Sequence, residues 1–330
     1  MDNIFNFKLK LCSRDDLDDL YKFIKKMQGR GLSFFSPSAS KNFLKERYRS
    51  YSNPTLTFNA IIIKKNKDEI VGYGGSILFE GMLNSKKIKG AIGCDLMIDP
   101  DYRKEFPMLF SCLFSGYKKF FKDRDFFLTF PNDNQIEQTF KKIKWRSLAT
   151  VYNLFCPFSL AAKLDFSSDK IKIKKNDFSK KMMSHFFKRV SSQYYFLMQA
   201  DADFLEWKYF YKPDNNYTIY TAVLDKKILG YIIAEKRRSS IYLVDIVIDL
   251  KFFRVFFLLL SDIFTRSTGQ KYKEVRCSVS HKLYLENLKK IGFSCYQKEN
   301  CLYSDLGKKS FFSLPKNKPY HFNGLIEDGY

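Results

Sequence analysis

Two segments, Phe7-Lys8-Leu9-Lys10 and Ile171-Lys172-Ile173-Lys174, alternate apolar and basic residues, the period of a strand with one buried face. Asp15 and Asp16 follow the first and suit a helix N-terminus, so a helix is expected from Asp15 to about Met27. Apolar and β-branched runs predict strands over Thr57–Lys64, Ile70–Phe79 and Ile88–Ile98, with a tight hairpin at Asn66-Lys67-Asp68. Asp99-Pro100-Asp101-Tyr102-Arg103 reads as a turn, and Pro107 as a first helical residue. Phe110, Leu113, Phe114, Tyr117, Phe120 and Phe121 then recur on one helix face. Phe126–Phe130 is a further strand, Gln135–Ile143 a short helix and Leu148–Phe155 a closing strand.

The same series recurs in the second half. Asp16-Leu17 has its counterpart in Asp177-Phe178, and Phe43-Leu44-Lys45-Glu46-Arg47-Tyr48 in Phe204-Leu205-Glu206-Trp207-Lys208-Tyr209. Ile70-Val71-Gly72-Tyr73 matches Ile228-Leu229-Gly230-Tyr231, and Cys94-Asp95-Leu96-Met97-Ile98-Asp99 matches Val244-Asp245-Ile246-Val247-Ile248-Asp249. Lys141-Lys142-Ile143-Lys144-Trp145 matches Lys289-Lys290-Ile291-Gly292-Phe293. The order and gaps agree, which implies a duplication at too long a period for a solenoid. The halves are expected at 1–160 and 161–330, joined by the Asp- and Ser-rich segment Leu164–Lys170. A long aromatic helix is expected over Lys251–Ser267. The fold class is mixed α/β: two tandem units, each a mostly antiparallel sheet flanked by helices.

Composition supports two full cores: of 330 residues, 45% are hydrophobic and 18% aromatic. The longest apolar runs are short; Val255–Leu260 meets Ser261 and Asp262, far below the roughly 20 residues of a spanning helix. No basic-then-apolar leader precedes Phe7, and seven scattered cysteines form no CxxC pair, so a reducing cytoplasm is expected. The net charge of +22 has two readings. It attracts phosphates, nucleic acid or an anionic membrane; or it follows from a composition rich in Lys, Ile, Phe, Tyr and Asn. The lysines are dispersed, which argues against nucleic acid as the partner. No His or Cys spacing suggests a metal, and no Gly-x-Ser-x-Gly, Walker or dinucleotide fingerprint occurs.

The strand ending in Asp99 and its turn, the helix after it, Phe130-Pro131-Asn132 after the fifth strand, and the closing Lys-Lys-Ile-Gly-Phe of the second half together resemble the GNAT superfamily of acyl-CoA N-acyltransferases. The likeness covers most of the chain, and the first half carries it better. It implies a bulged fourth strand diverging from its neighbour, with the pantetheine arm of acyl-CoA in the gap along Leu96, Met97 and Ile98. The pyrophosphate would sit on the next helix N-terminus, at Arg103, Lys104 and Met108. Two departures stand out. Neither loop has a glycine, and Phe140 stands where many relatives have a Tyr that protonates the leaving thiolate.

The resemblance makes Asp95 the carboxylate that accepts the amine proton; the bland reading is a structural hydrogen bond for an acid in an apolar strand. Asp245 is its counterpart, taken as substrate-binding. Asn132 would bond pantetheine or substrate, or merely cap a helix. His281 stands one place past Ser280, the counterpart of Asn132, as a base for an ammonium substrate or a surface residue starting a helix. Trp207 and Tyr209, with Tyr211, form an aromatic patch suited to a nucleobase or to the core. The tail from Pro319 to Asp328 is aromatic enough to pack back on the protein. What the resemblance implies is a CoA-dependent N-acyltransferase acting on a nucleotide-linked amino sugar in surface-glycan synthesis. The first half is the favoured CoA binder and the second the substrate-binding half. A non-catalytic scaffold and an aminoacyl-tRNA-dependent ligase are the alternatives.

Overall fold

The apolar alternation read from the sequence closes into a single mixed sheet with helices on both faces. The computed structural model describes residues 3–4, 7–13, 15–31, 57–64, 66–131, 134–177, 179–199, 202–210, 216–305 and 320–322. The first series is β1 (Asn3–Ile4), β2 (Phe7–Leu11), α1 (Leu17–Gly29), β3 (Thr57–Lys64), β4 (Glu69–Leu83) and β5 (Lys86–Ile98). A 3-10 turn, Pro100–Glu105, leads into α2 (Phe106–Phe120), then β6 (Phe126–Thr129), α3 (Asn134–Lys142) and β7 (Arg146–Pro157). A short helix α4 (Phe158–Ala161) ends it.

The second series follows a similar order, with β9 and α6 between its first helix and its next long strand: β8 (Lys172–Lys175), α5 (Lys180–Val190), β9 (Phe196–Gln199), α6 (Ala202–Leu205), β10 (Tyr217–Leu224), β11 (Lys227–Arg237) and β12 (Ser240–Ile248). A 3-10 turn at Leu250–Phe252 precedes α7 (Arg254–Thr265), β13 (Glu274–Val279), α8 (Lys282–Lys290), β14 (Ser294–Asp305) and β15 (Tyr320–His321). The aromatic helix expected from Lys251 is therefore shorter, because its first turn winds as 3-10 around Asp249. Between the halves, Ser261 Oγ donates to Leu164 O (3.0 Å) and accepts from Phe166 N–H (3.1 Å), tying the linker to α7.

The strand order is β1-β2-β3-β4-β5-β6-β14-β7-β13-β12-β11-β10-β8. The closing strands are exchanged. β14, from the second half, pairs with β6 of the first (Leu302 opposite Thr129, Tyr303 opposite Leu128). β7, from the first half, pairs with β13 of the second (Val275 opposite Cys156). β14 and β7 lie side by side at the centre. The tail folds back, as its aromatic content suggests: Tyr320 and Phe322 are buried, and β15 pairs with β9, which pairs in turn with the end of β4. That last pairing explains why β4 runs to Leu83 and not only to Phe79.

The duplication also governs the turns. Asp99 and Asp249 close β5 and β12, and both are buried. Each carboxylate accepts the backbone N–H two residues on, from Asp101 (3.1 Å) and Lys251 (3.1 Å). Arg30, just past the C-terminus of α1, pairs with Asp99 (2.9 Å), and Arg189 of α5 pairs with Asp249 (3.0 Å). Lys26 adds a second ion pair to Asp99 (2.6 Å), and Gln193 Nε2 donates to Asp249 (2.9 Å). Each buried acid thus locks a strand end to the first helix of its half. The repeated Asp was visible in the sequence, but nothing local revealed its distant arginine.

Candidate active site: two gaps in the sheet

Each half contains a parallel pair beside its bulged strand, β5 with β6 and β12 with β13, and both of these pairs separate. β5 and β6 stay paired through Ile92–Leu128, and β12 and β13 through Leu243–Cys277. Next to both, the antiparallel ladder slips by one residue, between Tyr73 and Gly75 opposite β5 and between Ile233 and Ala234 opposite β12. The extra residue is a β-bulge, which bends the strand and stops the parallel pairing. Beyond that point the backbone N–H and C=O groups on that side of the bulged strand no longer pair with the neighbouring strand, the arrangement an extended amide-bearing ligand needs. The helix after each bulged strand, α2 or α7, starts from a 3-10 turn and not from a glycine loop.

The second gap is filled by the protein itself. Tyr194 O–H donates to Ile248 O (2.6 Å), and Ile248 N–H reaches both Tyr284 Oη (3.1 Å) and Tyr194 Oη (3.2 Å). His321, from the returning tail, donates Nε2–H to Ile246 O (2.5 Å). Ser280 Oγ, at the end of β13, donates to Tyr320 O (2.8 Å) and accepts from Phe322 N–H (3.3 Å). Tyr284 and His321 stack at 5.1 Å, with Tyr194 beside His321 at 5.0 Å. His281 caps α8 through Nδ1, which accepts from Leu283 N–H (3.2 Å). It starts a helix, as one reading expected, but is buried and not on the surface. Burial lowers its pKa to about 4 and that of His321 to about 3, so both are neutral.

In the first gap Leu96, Met97 and Ile98 line the bulged strand; Met97 and Ile98 are buried and Leu96 half-buried. No side chain among the described residues bonds the backbone of Leu96 or Ile98, the counterparts of Ile246 and Ile248. Lys104 is exposed on the 3-10 turn. Phe140 is buried against Trp145, ring centroids 4.7 Å apart, and belongs to the core beneath α2. Asn132 lies outside the described residues. For Asp95, Arg103, Met108 and Trp207 only the backbone is described, on β5, the 3-10 turn, α2 and the π-turn Glu206–Phe210 respectively.

Asp245 follows the bulge of β12 and is fully buried. Tyr209 O–H approaches its Oδ2 at 3.4 Å, and Lys208, only 2% exposed, lies close enough to oppose the shift. Desolvation wins, and the pKa rises to about 7. Asp245 and Tyr209 are thus brought together, within the wall of the second half.

The shape of the chain matches solved proteins. A probable N-acyltransferase of Enterococcus faecalis superposes with TM-score 0.68 at 9% identity, over 91% of this chain and 72% of that one. A tandem GNAT protein of the clavulanic acid biosynthesis pathway gives 0.62 at 10% identity, over 92% and 100%. Saccharomyces cerevisiae N-myristoyltransferase, solved with bound myristoyl-CoA, gives 0.61 at 11%, over 92% and 80%. This chain has the tandem GNAT fold. No protein-family model matches its sequence. No curated protein matches it either. Within the tandem GNAT fold the two gaps correspond by topology, and among the described residues the second is closed by tyrosines and the returning tail while none closes the first in that way. Among the described residues no group of His, Cys, Asp and Glu could hold a metal ion, and no helix is long and apolar enough to cross a membrane.

Proposed function

We propose that the protein is a CoA-dependent N-acyltransferase whose working gap lies between β5 and β6. The carrying observation is the occupation of Ile246 and Ile248 by His321, Tyr194 and Tyr284. An acyl-CoA arm needs free strand edge, and the second half has spent its own. The structural neighbours, a probable N-acyltransferase and an N-myristoyltransferase solved with myristoyl-CoA, support the same cofactor class here. The pyrophosphate would rest at the start of α2, with Arg103 and Lys104 replacing by charge what glycines usually allow by close approach. Backbone N–H groups of β5 would polarise the thioester carbonyl, and a neutral amine would then attack it. With Phe140 in the core, the departing thiolate takes its proton from water or from the amine.

For the acceptor, the reading is a nucleotide-linked (dTDP or UDP) amino deoxysugar, and for the acyl group acetyl or a short hydroxyacyl such as 3-hydroxybutyryl, made in the cytoplasm for a surface glycan. Support comes from an open groove of about 490 Å³ lined by Asn216, Lys236, Arg237, Arg238, Ser240 and Tyr242, among others. The Arg237 and Arg276 guanidinium groups lie 4.6 and 5.9 Å from the Tyr242 ring. Glu235 and Glu274 offset two of the charges. Lys236 is held below its usual pKa by burial and by Lys175. An aromatic ring among cations fits a nucleobase and its phosphates.

Thermal unfolding with acetyl-CoA, longer acyl-CoAs and dTDP- or UDP-sugars tests the reading. A ligand at about 100 times its Kd adds roughly 2.7 kcal/mol. A shift with acyl-CoA that vanishes in Arg103→Glu is expected. No shift with any CoA at millimolar concentration would leave a scaffold that kept the fold and lost the chemistry.

A further inference from the structure

Among the described residues, each buried acid but one pairs with a cation or lies in the field of one. Asp99 pairs with Lys26 and Arg30, Asp249 with Arg189, Glu137 with Lys141, and Asp245 feels Lys208. Glu299 on β14 is 8% exposed and has no ion pair among the described residues. Its cross-strand partner is Val151, and its hydrogen-bond partner is neutral. Asn153 Nδ2 on β7 donates to Glu299 Oε1 (2.7 Å), and Ser278 Oγ on β13 donates to Asn153 Oδ1 (2.7 Å). The relay crosses three adjacent strands and fixes the Asn153 amide. In a chain of net charge +22, a buried carboxylate with no cation beside it among the described residues costs stability when ionised.

Its position follows from the register. Tyr303 pairs with Leu128, and Cys301 and Glu299 follow on the same face by alternation. That face carries α1: Leu128 and Tyr303 share a cluster with Leu20 and Ile24, whereas Leu302 and Phe127 pack with Leu113 and Tyr117 of α2. The first gap opens beyond Ile92–Leu128, alongside the stretch of β14 that bears Glu299. Glu299 therefore lies across β6 from β5, more than two paired-strand spacings (over about 10 Å) away where the strands have parted, on the face opposite α2. The groove with Tyr242 is on this same face, since Tyr242 pairs with Arg276, two residues before Ser278 on β13.

Resting on the acyltransferase reading above, we propose that Glu299, delivered to the first gap by the exchanged strand β14, is the anchor for the acceptor's ammonium group. The ammonium gives one proton to the carboxylate. The neutral amine then adds to the thioester carbon, the C–S bond breaks, and the second amine proton leaves with the thiolate as CoA thiol. Burial already holds the Glu299 pKa above the usual carboxylate value, which suits a group that must take that proton.

The test uses the full chain, wild type and Glu299→Gln, with methylammonium chloride as probe and equal sodium chloride as control, both at pH 8. Acetyl-CoA binding is measured in parallel by calorimetry. Methylammonium should raise the wild-type Tm by about 2 °C or more over sodium, and the gain should vanish in the variant. Acetyl-CoA should bind both proteins equally. Without probe, Glu299→Gln should be as stable as wild type at pH 4 and more stable at pH 8, because an uncompensated carboxylate costs stability only when ionised. A methylammonium response that is absent from wild type or retained in the variant overturns the proposal, as does a variant less stable at every pH. Failure of wild type to bind acetyl-CoA would instead overturn the acyltransferase reading.

Discussion

Ile248 offers a direct measure of how firmly the second gap is closed. Tyr194 gives its single proton to Ile248 O, so Tyr284 must donate to the Tyr194 oxygen (2.7 Å). Ile248 N–H is shared between both hydroxyls. Tyr284→Phe removes one of two acceptors and should cost about 1 kcal/mol. Tyr194→Phe orphans Ile248 O and the Tyr284 proton, two buried groups at about 1–3 kcal/mol each, so about 3 kcal/mol is expected. The double variant orphans both polar groups of Ile248 but no longer the Tyr284 proton, again about 3 kcal/mol. The pair is therefore coupled by about −1 kcal/mol relative to additivity, well outside the roughly 0.3–0.5 kcal/mol scatter of independent sites. Urea unfolding of the four proteins, read by circular dichroism, supplies the cycle. Additive effects with each single change below about 0.5 kcal/mol would mean that these hydroxyls do not satisfy the strand edge, and the gap would count as open.

Other consequences are equally specific. Asp249→Ala removes the acceptor of Arg189 Nε, Gln193 Nε2 and the Lys251 N–H, while Arg189 keeps its bond to Ile228 O, and should cost about 1–3 kcal/mol by chemical denaturation. Asp245 has a folded pKa of about 7, above its unfolded value, so folding favours its protonated form. Its contribution is complete below the unfolded pKa near 4 and is lost as pH rises through about 7. Asp245→Asn should therefore flatten stability between about pH 4 and 8 relative to wild type, seen as a Tm difference that grows with pH.

Much of the fold was legible in one dimension. Strand alternation, the amphipathic face of α2 and the repeated Ile-x-Gly-Tyr and Asp-x-x-x-Asp segments are local patterns, and local burial periodicity determines them. They gave the order of elements in each half, the duplication and the resemblance to GNAT proteins. The repeat also marked Asp245 and its counterpart Asp95 as acids in apolar strands, and the structure finds Asp245 buried beside Tyr209.

What the sequence could not hold was partner choice. An alternating strand states which face it buries but not which neighbour it pairs with, so nothing in Arg146–Pro157 or Ser294–Asp305 announces that these strands trade places. The two gaps likewise begin from similar sequences. They differ because Tyr194, Tyr284 and His321, spread over more than a third of the chain, converge on Ile246 and Ile248. Glu299, in the exposed-looking run Gln297-Lys298-Glu299-Asn300, gave no signal, since a nearby lysine in sequence implies a solvated pair. Only the sheet turns Glu299 to the face opposite Lys298 and leaves it beside Asn153, with no cation paired to it among the described residues, because alternate residues of a strand meet different neighbours.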